Sequence, residues 1–191
     1  MEACTLEAGR GLRLMFWGEL LFLAAVFCIL LSILAPIIST VAQVVAGVSF
    51  LLSLFGLVTA ARAYAGYQGA LFFLVVSIIL WAAINWVENS WASTFLNIAY
   101  TITNLLMVTR VCVACSELLR EVDPDGARQS TKVRMRYLTC SVVSVACFLA
   151  DCLPGLGALT EIVWFVGVMI SLFAGLIYLL FLRDIQELMR E

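Results

Sequence analysis

The sequence contains no histidine among its 191 residues. Histidine is the usual general base near neutral pH, the commonest zinc ligand and a frequent haem ligand, so its absence removes much catalytic and metal chemistry. The chain also has no Gly-rich phosphate loop, no GxSxG and no HExxH sequence. We therefore expect no enzymatic activity, no cofactor and no metal site.

Charged residues are scarce as well. They make up 13% of the chain, against roughly 25% in a soluble domain, whereas hydrophobic residues make up 64%. A membrane span needs about 20 mainly apolar residues, and runs of that length fill nearly the whole chain. No basic stripe of the kind that tracks nucleic acid is present. These features predict an integral membrane protein whose partners are lipid and either further copies of the chain or a larger membrane complex, with no nucleic acid.

The apolar runs predict an all-α fold: a bundle of six transmembrane helices arranged as three hairpins in one domain over residues 1–191. The predicted spans are about 14–35, 37–61, 68–87, 94–116, 137–153 and 158–182. The first run is longer than the core of a signal peptide, so we expect a retained helix. Residues 117–136 form the longest connection, read as a cytoplasmic loop around the Asp123-Pro124-Asp125-Gly126 turn.

The positive residues predict the orientation of this bundle. With six spans, all eleven lysines and arginines fall on one side and none on the other. The positive-inside rule assigns the basic side to the cytoplasm. Both termini are therefore predicted to be cytoplasmic, and we expect the chain in the plasma (inner) membrane of a bacterium.

Small residues form a stripe along the second predicted helix. They recur at alternating spacings of four and three, which places them on one face and lets another helix approach closely. The stripe predicts tight internal packing, with a subunit interface or a sliding contact as the alternative. Its members are Ala42, Ala46, Ser49, Ser53, Gly56 and Ala60.

The fourth predicted helix carries the most polar face of the six. Asn97, Thr101 and Asn104 lie on one side of it, with Tyr100 nearby. Polar side chains within a span usually face the bundle or a water-filled cavity, because lipid offers them no partners. Two interpretations follow: hydrogen bonds to neighbouring helices, or the wall of a pathway or binding pocket.

Three carboxylates map near the outer side of the predicted bundle: Glu88, Asp151 and Glu161. No basic residue is available on that side to neutralise them. A mouth lined by carboxylates would concentrate cations or bind an amine. The alternative is that these residues only cap and solvate helix ends.

Glu19 is placed by the predicted spans about one and a half turns into the first helix. A carboxylate at that depth stays protonated, reaches toward the interface or pairs with a cation. Arg62 and Arg110 fall at a comparable depth on the cytoplasmic side. We expect a structural ion pair between Glu19 and one of them, and a proton relay is the alternative.

Cys112 and Cys115 form a CxxC sequence. In redox enzymes this motif usually opens a helix, whose N-terminal dipole stabilises the thiolate. Here it closes a helix, where the dipole opposes ionisation. We expect both cysteines to act as small apolar residues.

In length, number of spans and orientation the chain resembles the substrate-binding S subunits of energy-coupling-factor vitamin transporters. The resemblance covers overall shape and no motif, so it implies no binding residue. The sequence predicts a transport- or channel-type subunit that handles a small cation or small molecule through a polar cavity in the outer half of the bundle. The alternative is a non-transporting scaffold or accessory subunit of a larger membrane complex.

Overall fold

A computed structural model of the chain describes residues 2–31, 36–87, 90–120, 123–151 and 159–189. Within these ranges the all-α prediction is confirmed, because six helices are long and apolar enough to cross a membrane. They are α1 (Glu2–Leu31), α2 (Pro36–Ala63), α3 (Gln68–Trp86), α4 (Ser90–Leu119), α5 (Pro124–Asp151) and α6 (Leu159–Leu188), with a single 3₁₀ turn, Ala65–Tyr67, before α3.

The six helices form a closed ring in chain order. Each helix packs mainly against its neighbours in the sequence, and α1 returns to pack against α6. The contact between Gly9 and Met189 shows that α1 begins where α6 ends. A ring of this kind has a centre that side chains from every helix can reach.

One end of the ring, here called the basic end, holds the starts of α1, α3 and α5 and the ends of α2, α4 and α6. All described lysines and arginines lie near this end, in the nearest helix halves or, for Arg120, directly after α4. They are Arg10, Arg13, Arg62, Arg110, Arg120, Arg128, Lys132, Arg134, Arg136 and Arg183. The side of the membrane that this end faces stays a prediction.

The main hydrophobic core fills the ring at the basic end. Buried side chains from all six helices meet there, including Leu12, Leu57 and Leu182, which are fully buried. The aromatic rings of Tyr67 and Tyr178 belong to the same cluster. The centre of the bundle is therefore solid on this side.

The helices α1 and α5 both begin about twelve residues before the predicted spans, at Glu2 and Pro124. The predicted loop 117–136 is therefore mostly helical. Apolarity alone set the predicted starts, whereas both extensions are amphipathic. In α1, Ala8 and Leu12 are buried while Arg10 and Arg13 are exposed.

The turn chemistry predicted at Asp123 proves to be the start of α5. The Asp123 carboxylate accepts a hydrogen bond from the backbone N–H of Asp125 at 3.1 Å. Pro124 takes the first helical position, where its missing N–H has no intrahelical partner to lose. Asp123 is thus the N-cap of α5, and the connection from α4 is short.

The small-residue stripe of α2 faces α1. All six of its members are buried, and a Cβ built on Gly56 would lie 2.6 Å from the carbonyl oxygen of Gly11. A Cβ built on Gly18 would meet the hydroxyl of Ser53 and lie 2.9 Å from the carbonyl oxygen of Ser49. The stripe therefore packs within the chain, against glycines of α1.

Candidate functional site

A cavity of about 270 Å³ lies at the centre of the ring, next to the core and on its side away from the basic end. All six helices contribute to its wall. Its polar lining comes from one carboxylate, two amides and seven hydroxyl groups. These residues are Glu19, Ser49, Ser53, Asn97, Tyr100, Thr101, Asn104, Tyr137, Ser141 and Ser171.

The polar face predicted on α4 forms one wall of this cavity. Asn97, Thr101 and Asn104 all line it, together with Tyr100. The Asn97 amide donates to the carbonyl oxygen of Ser93 at 2.9 Å, and the Thr101 hydroxyl donates to the carbonyl oxygen of Asn97 at 2.9 Å. The hydroxyl of Tyr100 and the amide of Asn104 share a further hydrogen bond. All these bonds stay within α4, so they do not tie the helix to its neighbours.

Glu19 lies in the wall of the cavity and forms no ion pair with any arginine in the described part of the chain. It sits 17 residues after the start of α1, which is about 25 Å along the helix axis. The ion pairs among the described residues are Arg128 with Asp125 and Arg183 with Asp184. The predicted pair with Arg62 or Arg110 is absent because α1 starts earlier than predicted, which places Glu19 beyond the reach of arginines near the basic end.

The rest of the polar wall was not predicted from the sequence as part of a site. Tyr137 and Ser141 come from α5 and Ser171 from α6. A spacing of four places Tyr137 and Ser141 on one helix face, and that spacing was the signal available. Ser49 and Ser53 belong to the packing stripe of α2 but also border the cavity.

A hydrogen-bonded cluster joins α5 to α6 beside the cavity. The hydroxyl of Ser144 donates to the carbonyl oxygen of Gly167 at 2.6 Å and lies 2.6 Å from the hydroxyl of Ser171. Ser144 is fully buried. Because its proton goes to Gly167, the Ser171 hydroxyl is the donor in the second bond. These hydrogen bonds hold α5 and α6 together where Ser171 lines the cavity.

Aromatic side chains form much of the apolar wall. Phe22 and Phe50 line the cavity, with ring centroids 5.4 Å apart. The ring of Trp81 packs behind Phe50 at 5.2 Å. Phe148 borders the cavity from α5. The cavity therefore combines polar groups with aromatic surface.

The side chains of the three outer carboxylates lie outside the part of the chain that the structure describes. Glu88 lies outside the described residues. Asp151 ends α5 and Glu161 lies in the first turn of α6, but their side chains also fall outside what the structure describes. Their predicted role at an outer mouth stays a prediction.

Cys112 and Cys115 lie in the core at the basic end and do not reach the cavity. Both side chains are buried, and the Cys115 sulfur lies 3.2 Å from the hydroxyl of Tyr67. Among the described residues, no group of three or more cysteine or carboxylate side chains is arranged to hold a metal ion.

The chain matches no family model, no curated protein and no solved structure. Its function is therefore inferred from the fold and the site: six helices long and apolar enough to cross a membrane, arranged around a polar central cavity.

Proposed function

We propose that this protein is a transport- or channel-type membrane subunit whose central cavity binds a small cation or small molecule. The observation that supports this most is the cavity itself, which brings polar side chains from different helices together in the middle of the bundle. Polar groups in lipid surroundings are costly unless they have partners or line a hydrated space.

The hydrogen bonds of α4 favour this function over a scaffold. In a dry scaffold, Asn97, Thr101 and Asn104 would bond across to other helices and pull the bundle closed. Their hydrogen bonds run within α4 instead. Such bonds leave amide and hydroxyl oxygens available to a ligand, because each of these oxygens can accept more than one bond.

The packed core at the basic end suggests where a ligand enters. Because side chains fill the ring on that side, the shorter route to the cavity is from the opposite end. If the positive-inside rule holds, that end faces outward from a bacterial plasma membrane. The missing histidine and catalytic motifs favour binding or transport over an enzymatic role.

Cysteine accessibility tests this proposal. Thr101→Cys places a thiol in the cavity wall, and Ile102→Cys places one on the neighbouring exposed face of α4. A small, charged, membrane-impermeant methanethiosulfonate reagent should label the first variant and not the second, relative to the native protein. Equal protection of both thiols would show a dry bundle and favour the scaffold.

A further inference from the structure

We infer that the ligand of this cavity is a small organic monocation, a protonated amine with an apolar or aromatic body, whose ammonium group binds the Glu19 carboxylate. This inference rests on the proposed function, since it assumes that the cavity is a binding site. It adds the sign of the charge and the chemical class of the ligand.

The charge of the wall determines the sign. Glu19 is the single charged residue among those that line the cavity, and no lysine or arginine is among them. The described ion pairs do not include Glu19. Removing a carboxylate from water without a counterion is strongly unfavourable, so a cation in the cavity would gain a strong interaction. An anion would be repelled by the carboxylate, and no basic residue of the wall would offset that repulsion.

The composition of the wall favours an organic cation over a metal ion. Calcium takes six to eight oxygen ligands, and magnesium a near-ideal octahedron. The described residues contain no cluster of three or more carboxylate or cysteine side chains that would supply such a shell. A cavity of about 270 Å³ is also far larger than a metal ion, and it lies just below the roughly 300–1,000 Å³ of sites for larger organic ligands.

The aromatic side chains match the rest of such a ligand. Phe22 and Phe50 present neighbouring rings to the cavity. A cation within about 6 Å of an aromatic ring face is attracted to it, and the rings also cover an apolar body. These contacts require no further charged group.

The polar side chains match the ammonium group. A primary ammonium has three N–H donors. Glu19 can accept one of them, and Ser53 and Asn104, whose side chains carry oxygen acceptors, line the same cavity. One carboxylate with neutral acceptors balances a single positive charge, so the site is suited to a monocation and not to a dication.

Matched probes test the charge preference. Purified full-length protein in detergent would be titrated with 2-phenylethylamine, with the neutral 2-phenylethanol and with the anionic phenylacetate, which share one aromatic body. Thermal stability and calorimetric binding would be measured for each probe. Ethylamine and choline would then test cations with other organic bodies, and sodium chloride would test an inorganic cation. We expect at least one amine to bind at least tenfold more tightly than the neutral alcohol.

Variants assign that preference to Glu19. Glu19→Gln should remove the tenfold preference, Glu19→Asp should restore part of it, and Glu7→Gln, at an exposed position of the same helix, should leave it unchanged. Elution as a single species and an unchanged melting transition would show that the variants are folded.

Several results would overturn the inference: equal binding of alcohol and amine, tighter binding of phenylacetate, binding of no amine, or an amine preference that survives Glu19→Gln. The cysteine-labelling experiment distinguishes failure of the proposed function from failure of this inference. Protection of the Thr101→Cys thiol from the reagent would reject the proposed function, whereas a labelled thiol without amine preference would reject only the ligand class.

Discussion

Gly11 and Gly56 contact each other through their backbones. A Cβ built on Gly11 would lie 2.5 Å from the carbonyl oxygen of Gly56, and one built on Gly56 would lie 2.6 Å from the carbonyl oxygen of Gly11. Neither helix can carry a side chain at this crossing without moving. The close approach of α1 and α2 therefore depends on two glycines that lie far apart in the sequence.

Gly56→Ala should destabilise the bundle, because the new methyl group would meet backbone atoms of Gly11 and Met15. We expect a loss of about 1–3 kcal/mol in the free energy of unfolding, as for other overpacked sites. The matched control is Gly47→Ala, in the same helix, whose Cβ would meet nothing within 4 Å. Alanine should be neutral there or stabilise by up to about 1 kcal/mol.

Unfolding in mixed micelles of increasing denaturing detergent would measure both substitutions. If Gly56→Ala proved as harmless as Gly47→Ala, the close contact between α1 and α2 would not exist as described.

The sequence predicted six helices well because apolar runs of about 20 residues have few other solutions in a membrane protein. Helix starts were harder to predict where the helix is amphipathic. Ala8 and Leu12 are buried on one face of the helix while Arg10 and Arg13 are exposed on the other, and a criterion of continuous apolarity stops short of them. This error also displaced Glu19, which was counted from Leu14 and not from Glu2.

The polar face of α4 could be predicted from the sequence, since Asn97, Thr101 and Asn104 follow one another at about one helical turn and therefore share a helix face. The rest of the cavity could not, because it depends on which faces of α1, α5 and α6 turn toward α4. That arrangement follows from ring closure between α1 and α6, a contact between the two ends of the chain. No local pattern encodes such a contact.

Ser144→Ala should weaken the attachment of α5 to α6. The Ser144 hydroxyl bonds to both Gly167 and Ser171 at 2.6 Å. Hydrogen bonds between membrane helices contribute about 0.6–2 kcal/mol each, so we expect a loss of about 1–2 kcal/mol in the free energy of unfolding.

Ser77→Ala is the control for that substitution. Ser77 is also fully buried, but its hydroxyl has no hydrogen-bond partner among the described residues. Replacing it removes a buried polar atom without breaking a bond, so stability should be unchanged or rise by up to about 1 kcal/mol. Equal losses for both serines in a thermal melt would argue against the Ser144 cluster.

Asp123→Ala should destabilise the start of α5. It removes the side-chain acceptor for the Asp125 N–H, and loss of an N-cap typically costs about 0.5–2 kcal/mol. Asp125→Ala, two residues on, breaks the exposed contact with Arg128 at 3.6 Å and removes an acidic side chain from the first turn of α5. Each of these interactions should contribute about 0–1 kcal/mol.

Denaturant titrations of the two aspartate variants would compare them directly. A larger loss for Asp125→Ala than for Asp123→Ala would place the beginning of the helix elsewhere.

Glu19 and Arg110 should behave independently in a double-mutant cycle. Because no ion pair joins them, Glu19→Gln and Arg110→Gln should be additive in the free energy of unfolding to within about 0.5 kcal/mol. The positive control is the cycle of Ser144→Ala with Ser171→Ala, whose side chains are in contact. A coupling energy for Glu19 and Arg110 as large as that of the serine pair would show that the two side chains do form the ion pair expected from the sequence.

Tyr64 should give the bundle a specific sensitivity to alkaline pH. Its hydroxyl donates to the Glu117 carboxylate at 2.9 Å, and this hydrogen bond raises the pKa of Tyr64 above its usual 10.0. The folded state thus holds the proton more tightly than the unfolded state does. The resulting stability is fully present below pH 10 and is lost as the pH rises from there through the folded pKa.

Tyr64→Phe should abolish this alkaline loss while keeping an aromatic ring beside Tyr67. Glu117→Gln should shrink the loss, because a neutral amide still accepts the hydrogen bond but does not repel the phenolate. Tyrosinate absorbance, taken as the difference between the native protein and Tyr64→Phe, would report the pKa of this one group. A midpoint of ionisation at or below pH 10 would show that the bond between Tyr64 and Glu117 does not form in the folded protein.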